Sequence, residues 1–526
     1  MTSMRTISRR WRDESGVTVL LALFVLTLTT LILGAVYQAV TNDTQGTRLN
    51  LDQSRAFAAA QAGIAQYTYQ LNQNPNYWQS CKSSGQVAVP NSTDSGSTEY
   101  YSYQPIAATT APLNDQQCDT NNPTGTMIEG IQSAQPATFR IESTGTSNNV
   151  SRSIVAEYKQ PSFLSFVYYT DYEASDPVTL GSPAPTDCAV HYSPAANPHR
   201  PADCGSPISF VGGDSINGPM HSEDYLAIGC PTGAQGPIFG RAGYDDPVEA
   251  PGTYSTCSGS TYTVNNSAKA LNTTAPSLTP PTTNGTLLTL ASSGGYVYTG
   301  RTTIVLSGNS MSVTTATAGQ SNTGPAVSWP ANGVIYVKTA STGCPVTYSP
   351  STANNDYPPA DNNCGNVYVK GNYTQGLTIA SDNDVIINGN VTTTTTTGVN
   401  GAPPTGGQLL GLVANDFVRV YHPCTGGTNG AGYMTNPYIY AAILAVNHSF
   451  IVDNYSCGAQ MGTLNVYGVI AQLYRGPVGT SGGGGTGYLK NYVYDDRLAY
   501  SEPPYFLNPT STAWYVARDT ECDTYC

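Results

Sequence analysis

Residues 17–36 read VTVLLALFVLTLTTLILGAV, twenty consecutive positions without a charge. As a helix this run rises about 30 Å, the thickness of a bilayer's hydrocarbon core. Arg5, Arg9, Arg10 and Arg12 precede it. The positive-inside rule then predicts a cytoplasmic N-terminus and export of everything after Tyr37. A secretory signal would have a shorter apolar core closed by an A-x-A site, and no such site closes this one. Nor does the helical pattern stop at the membrane surface. Residues 43–74 contain no proline and just Gly46 and Gly63, and Pro75 ends the run. Phe57, Ala60, Ile64, Tyr67 and Leu71 recur at helical spacing as one apolar stripe. The sequence predicts a single long helix, apolar over 17–40 and amphipathic over 41–75.

The segment RRWRDESGVTVLLALFVLTLTTLILGAV, followed by LDQSRAFAAAQAGIAQYTYQL, resembles the N-terminus of PilX-type minor pilins and of K-type pseudopilins. In those families a prepilin peptidase removes a basic leader ending in glycine, and the new N-terminus begins the apolar helix. The stretch AFAAAQAGIA at 56–65 is similar to the family's "AxxAAEAGL" motif. The resemblance covers about the first 75 residues. It implies a leader over 1–16, a scissile bond between Gly16 and Val17, and a prepilin peptidase and other pilin-like subunits as partners. Leu21 stands where major pilins carry glutamate, a departure that PilX- and K-type members share. The expected localisation is a single-pass cell-membrane protein whose exported body joins a surface filament.

Only 10% of the 526 residues are charged, while Gly (53), Pro (36) and Tyr (37) are abundant. That composition favours strands and turns, so the expected fold class is α+β, mainly β: the long helix, then a β-rich body. The net charge of −13 leaves no basic surface to bind phosphates, which excludes a nucleic-acid partner. A small β-rich domain is expected over 76–170, with a hairpin at 137–159 in which GTSNN turns between ATFRIEST and VSRSIVAEYK. Over 171–526 short apolar runs alternate with Gly, Asn and Asp, as in GNVYVKGNYTQGLTIASDNDVIINGNVTTTT at 365–395, and no helix-length periodic segment is found. A parallel β-solenoid gives this pattern; an antiparallel sandwich gives a similar one.

The cysteines are Cys81, Cys118, Cys188, Cys204, Cys230, Cys257, Cys344, Cys364, Cys424, Cys457, Cys522 and Cys526. Their even count, the absence of CxxC and the lack of a histidine at zinc-ligand spacing favour disulfides in an oxidising space over metal. Sequential pairing is the simplest expectation: 81–118, 188–204, 230–257, 344–364, 424–457 and 522–526.

Carbohydrate chemistry would need two converging carboxylates. The candidates are Glu223 with Asp224, Asp245 with Asp246, Asp382 with Asp384, and Asp495 with Asp496. Sequence neighbours on a strand point to opposite faces, and SDNDVIINGN reads as a polar turn. His221, close to Glu223 and Asp224, lacks a nucleophile-elbow context and reads as a histidine hydrogen-bonded within a rung. No phosphate-binding loop or EF-hand occurs. No catalytic residue, cofactor or metal is therefore assigned. The expected function is that of a minor pilin-like structural or adhesive component, its surface ligand unassigned. A membrane-tethered carbohydrate-active solenoid and a passive coat protein are the alternatives. The tyrosine cluster Tyr100, Tyr101 and Tyr103 fits either adhesion or a core.

Overall fold

One helix, α1 (Ser15–Gln73), runs unbroken through both the apolar and the amphipathic stretch. It is followed by a large β-rich body. The computed structural model describes residues 15–74, 77–80, 82–90, 99–106, 128–129, 138–159, 162–180, 185, 188–192, 204–205, 207–265, 270–393, 404, 406–480, 484–499, 501–510 and 514–522.

The C-terminal half of α1 lies on an antiparallel sheet. Its strands, in spatial order, are Val87–Ala88, Tyr100–Ile106, Thr138–Ser147, Val150–Lys159 and Tyr515–Cys522. The hairpin turn is tighter than GTSNN suggests. Thr138–Ser147 extends to the turn, which Asn148 and Asn149 make alone with φ of 47° and 71°. Positive φ at both central residues matches the strands' right-handed twist. Along Thr138–Ser147, Phe139, Ile141, Ser143, Gly145 and Ser147 face inward in strict alternation.

The buried face of α1 is Ala56, Ala59, Ala60, Gly63, Tyr67 and Leu71, rotated from the expected stripe, so that Phe57 and Ile64 are only half-buried at its flanks. The cause is close approach. A Cβ on Gly145 would stand 2.0 Å from the Ala56 carbonyl oxygen, and one on Gly63 would stand 2.1 Å from Ser143 Oγ. Only the small-residue face fits there. Ser143 donates to the Ala60 carbonyl (2.8 Å) and Tyr158 to the Ile64 carbonyl (3.0 Å), pinning helix to sheet. Tyr67, Trp78, Phe139, Tyr158 and Trp514 fill the interface. Tyr101 and Tyr103 are buried beside them, and Tyr100 is exposed.

Most of the remainder stacks parallel strands, not the antiparallel strands of a sandwich. One ladder runs Tyr296–Thr299, Val334–Lys338, Leu377–Ser381, Leu410–Ala414, Tyr438–Ala445, Thr463–Tyr474, Tyr168–Tyr172, Met220–Ser222 and Val248–Glu249. In register along it stand Ile335, Ile379, Leu412, Ile443, Ile470, Tyr168, Met220 and Val248, a continuous buried column. A second parallel ladder joins Thr302–Gly308, Val367–Tyr373, Val385–Thr393, Val418–Val420 and Phe450–Val452. Each buried aliphatic side chain contributes roughly 1.5–3 kcal/mol, and stacking like on like keeps every rung's inner face apolar. Among the described strands the sheet path is open and does not close on itself.

Spatial order departs from chain order. Strand Tyr168–Tyr172 docks on Thr463–Tyr474, and Ser215–Asn217 docks on Leu489–Tyr494, so the first rungs in sequence follow the last ones. This junction is a seam. At the far end a short helix, α2 (Gly285–Gly294), buries Leu287 and Ala291, and Ser310–Thr315 folds back antiparallel on Thr302–Gly308. Both protect edges that would otherwise present unpaired backbone groups. The helix corrects the expectation of none beyond 171. TLLTLA supplies one short apolar face, too brief to give a periodic signal.

The domain limits also shift. Tyr168–Tyr172, which the expected boundary after 170 divides, belongs whole to the ladder, and Tyr515–Cys522, expected in the body, completes the small sheet. The ladder is thus inserted between two adjacent strands of that sheet. Its two connections touch, Ser162 Oγ donating to Asn508 Oδ1 at 2.6 Å.

Gly145→Val tests the helix–sheet contact with a discriminating sign. Strand propensity alone favours valine, whereas overlap with α1 should destabilise the small sheet by about 2 kcal/mol or more. Urea unfolding followed by tryptophan fluorescence reads the change; an unchanged or raised midpoint would contradict the packing.

Candidate functional site

The surface with the strongest chemical character is the first half of α1. Every described side chain from 18 to 40 is exposed, including Leu20, Leu23, Phe24, Leu31 and Leu33. The helix is long and apolar enough to cross a membrane. Gly16 and Val17 fall in its first turn, and residues 1–14, most of the expected leader, lie outside the described residues. An apolar surface of this extent needs lipid or other helices to cover it.

Away from the helix, several titratable residues among the described ones form buried clusters. Arg419 is fully buried. Its Nη1 donates to Asp356 (2.8 Å) and Asp384 (2.9 Å), and its Nε donates to Asp453 (2.9 Å). The guanidinium also lies 3.9 Å from the Tyr348 ring centroid, while the hydroxyls of Tyr348 and Tyr357 donate to Asp453. Beside it, under the loop closed by Cys344–Cys364, is a cavity of about 150 Å³ lined by Tyr348, Asp356, Asp384, Asp416, Phe417 and His448. Burial pushes the Asp356 carboxyl up to about 7; Arg419 opposes the shift and Asp384 and Asp453 reinforce it. Burial likewise lifts Asp416 to about 6, with Asp384 adding to it. Three buried carboxylates share one guanidinium, which favours the protonated form of Asp356.

The sequence pairs mostly diverge. Asp382 accepts from the Tyr336 hydroxyl (2.6 Å) and Thr339 N–H (2.7 Å), whereas Asp384 faces Arg419. Asp224 is consumed by the backbone N–H groups of Glu173, Tyr192 and Tyr225. Asp245 is exposed. Arg241 joins members of two pairs, holding Asp246 and Asp496 at 2.8 Å each. Asp495 binds Arg497. His221 lies between Glu223 (2.9 Å) and Glu249 (2.8 Å), the latter stacked in register on it from the next rung. Burial pushes its imidazole toward the neutral form, but the two carboxylates outweigh that and lift its pKa to about 9. Sequence reading named Glu223 and missed Glu249. It also missed Asp356 and Asp453 around Arg419. Glu249 and Asp453 come from other rungs and Asp356 from the turn Ala353–Asp356, so no local spacing signals them.

Among the described residues, no three His, Cys, Asp or Glu side chains are arranged to hold a metal ion. Disulfides join Cys188 to Cys204, Cys230 to Cys257, Cys344 to Cys364 and Cys424 to Cys457. Cys522 is also disulfide-bonded. Cys81, Cys118 and Cys526 lie outside the described residues.

No family model matches the chain, and no curated protein matches it. Among solved structures the chain is similar to the competence-associated pilin ComZ from Thermus thermophilus, at 12% identity and a TM-score of 0.27, over 90% of this chain and 97% of that one. A likeness of that size carries no argument about what this chain does.

The charge clusters give two pH signatures. His221 binds its proton more tightly folded than unfolded, so its stabilisation is complete below about 6.5 and is lost as pH rises through about 9. The loss amounts to about 3 kcal/mol at most. Denaturant titrations should show that decline in the native protein and not in His221→Gln; equal slopes would refute it. Asp356, raised in the same sense, makes stability fall as pH rises from about 4 to about 7. Asp356→Asn should flatten that limb, and a limb that survives the substitution would place the proton elsewhere.

Proposed function

We propose that this chain is a PilX-type minor pilin-like subunit of a type IV pilus-like envelope filament, and that its inserted ladder is a parallel β-solenoid displayed outside the cell. One observation carries the proposal: α1 is continuous, wholly exposed over its apolar half and clamped to an antiparallel sheet over its small-residue half. A simple membrane anchor needs no such rigid coupling of span to body. A subunit that must hold a body at a fixed angle to packed helices does.

In this reading a prepilin peptidase cuts between Gly16 and Val17. The apolar half of α1 passes from the membrane into contact with other pilin-like helices, and the body faces outward in an oxidising space. Leu21 in place of glutamate favours the PilX- or K-type subclass. The role is mechanical or adhesive rather than enzymatic. Although Asp356 and Asp384 converge, both bind one Nη1 of Arg419, so the guanidinium occupies the gap where a glycosidic bond would have to sit. Release of reducing ends from polysaccharide by the purified body would instead favour the carbohydrate-active alternative.

N-terminal sequencing of the protein from envelope fractions should begin at Val17, and Gly16→Leu should retain the leader and abolish incorporation into filaments. An intact Met1 in the mature native protein would leave only the plain-anchor reading.

A further inference from the structure

Lys490 and Asp214 meet across the seam, from strand Leu489–Tyr494 on one side and the turn before Ser215–Asn217 on the other, 276 residues apart in sequence. Lys490 Nζ is 2.7 Å from Asp214 Oδ2, with the lysine side chain 11% and the aspartate side chain 1% exposed. The fully buried ring of Phe210 lies beside them, its centroid 6.0 Å from Nζ. Arg475 packs on the same ring at 3.6 Å and is itself committed to Glu173 at 2.6 Å. A second cation is therefore held close to the lysine in a water-poor site. Backbone N–H groups address both carboxylate oxygens of Asp214, Val211 donating to Oδ2 (3.0 Å) and Lys490 donating to Oδ1 (3.4 Å).

We propose that Lys490 and Asp214 form an intramolecular isopeptide bond that makes the seam covalent. The surroundings supply what amide formation needs. Burial, reinforced by Arg475 and opposed by Asp214, lowers the Lys490 pKa, favouring the neutral amine that can act as nucleophile. Within the pair the ammonium passes one proton to the carboxylate, leaving an amine and a carboxylic acid. The Nζ lone pair attacks Cγ, and the backbone donors at the two oxygens stabilise the tetrahedral oxyanion. The Cγ–O bond then breaks and one water leaves, carrying two of the protons that began on Nζ, while the third stays on the amide nitrogen. One C–N bond forms and one C–O bond breaks, with no change of oxidation state, so no oxidant or cofactor is required. Holding the two groups in contact replaces the concentration that a bimolecular condensation would demand. Burial then shields the product from hydrolysis. The other buried pairs at the seam cannot do this: Arg475 with Glu173 and His448 with Asp176 have no primary amine.

The test uses the full-length native protein, reduced, denatured, digested with trypsin and read by mass spectrometry. The expected product is a branched peptide joining the segments that hold Lys490 and Asp214, lighter than their sum by one water, with no cleavage after Lys490. Asp214→Asn should yield the same branched amide with loss of ammonia instead of water, and Lys490→Arg should yield linear peptides alone. Native protein that gives separate linear peptides, cleaved after Lys490, would overturn the proposal. Because that result is read on the native chain, it does not depend on either variant folding.

Discussion

The pairing of Tyr515–Cys522 with Val150–Lys159 constrains the rest of the molecule. Once the last described strand must lie beside the strand from which the body departs, the body has to leave and return at one place. A ladder built strictly in chain order would put its first and last rungs at opposite ends and leave the two connections far apart. The chain solves this by placing 168–249 after 463–494 in space, so that entry and exit meet where Ser162 touches Asn508. The seam follows from that closure, as do the capped first rung at α2 and the long connection past Leu278 to Asn284.

Apolar stacking makes the ladder stable but does not make it unique. A column of Ile, Leu and Val would tolerate a slip by one rung, since each rung offers much the same inner face. Buried charges remove that freedom. His221 is paired on both ring nitrogens only with Glu249 in register above it, Arg419 is ion-paired by Asp384 and Asp453 from separate rungs, and Arg475 is ion-paired by Glu173 across the seam. Leaving any of these ions unpaired in the interior costs several kcal/mol, more than a slipped aliphatic contact. The same residues therefore serve as register marks. Their cost in desolvation is offset by hydrogen bonds from neighbouring tyrosines and backbone groups.

The helix was legible in sequence because an uncharged run long enough to span a bilayer has few other physical readings. Its buried face was less so. Phe57 and Ile64 look like better core residues than Ala56 or Gly63, but the sheet comes so near at Gly145 that small side chains win. Hairpin strands showed themselves through Phe139 and Ile141, whereas the turn depended on two asparagines whose φ values no pattern announces. Short alternating runs pointed to stacked strands. They held no information on rung order, because Tyr168–Tyr172 meets Thr463–Tyr474 across about 300 residues, where only tertiary closure decides. The acidic pairs misled for a related reason. Searching for carboxylates close in sequence finds Asp384 but passes over Asp356 and Asp453, which tertiary folding brings to the same guanidinium.

Site-specific photocrosslinking in the envelope tests the central claim most directly, since the exposed half of α1 must be covered by other helices if the chain is a filament subunit. With a photoreactive side chain at Leu31, illumination should give adducts containing other helix-bearing subunits, while the same probe at Ala59, buried against the small sheet, should give none. Lipid adducts alone at Leu31 would contradict the account and leave the helix a simple anchor.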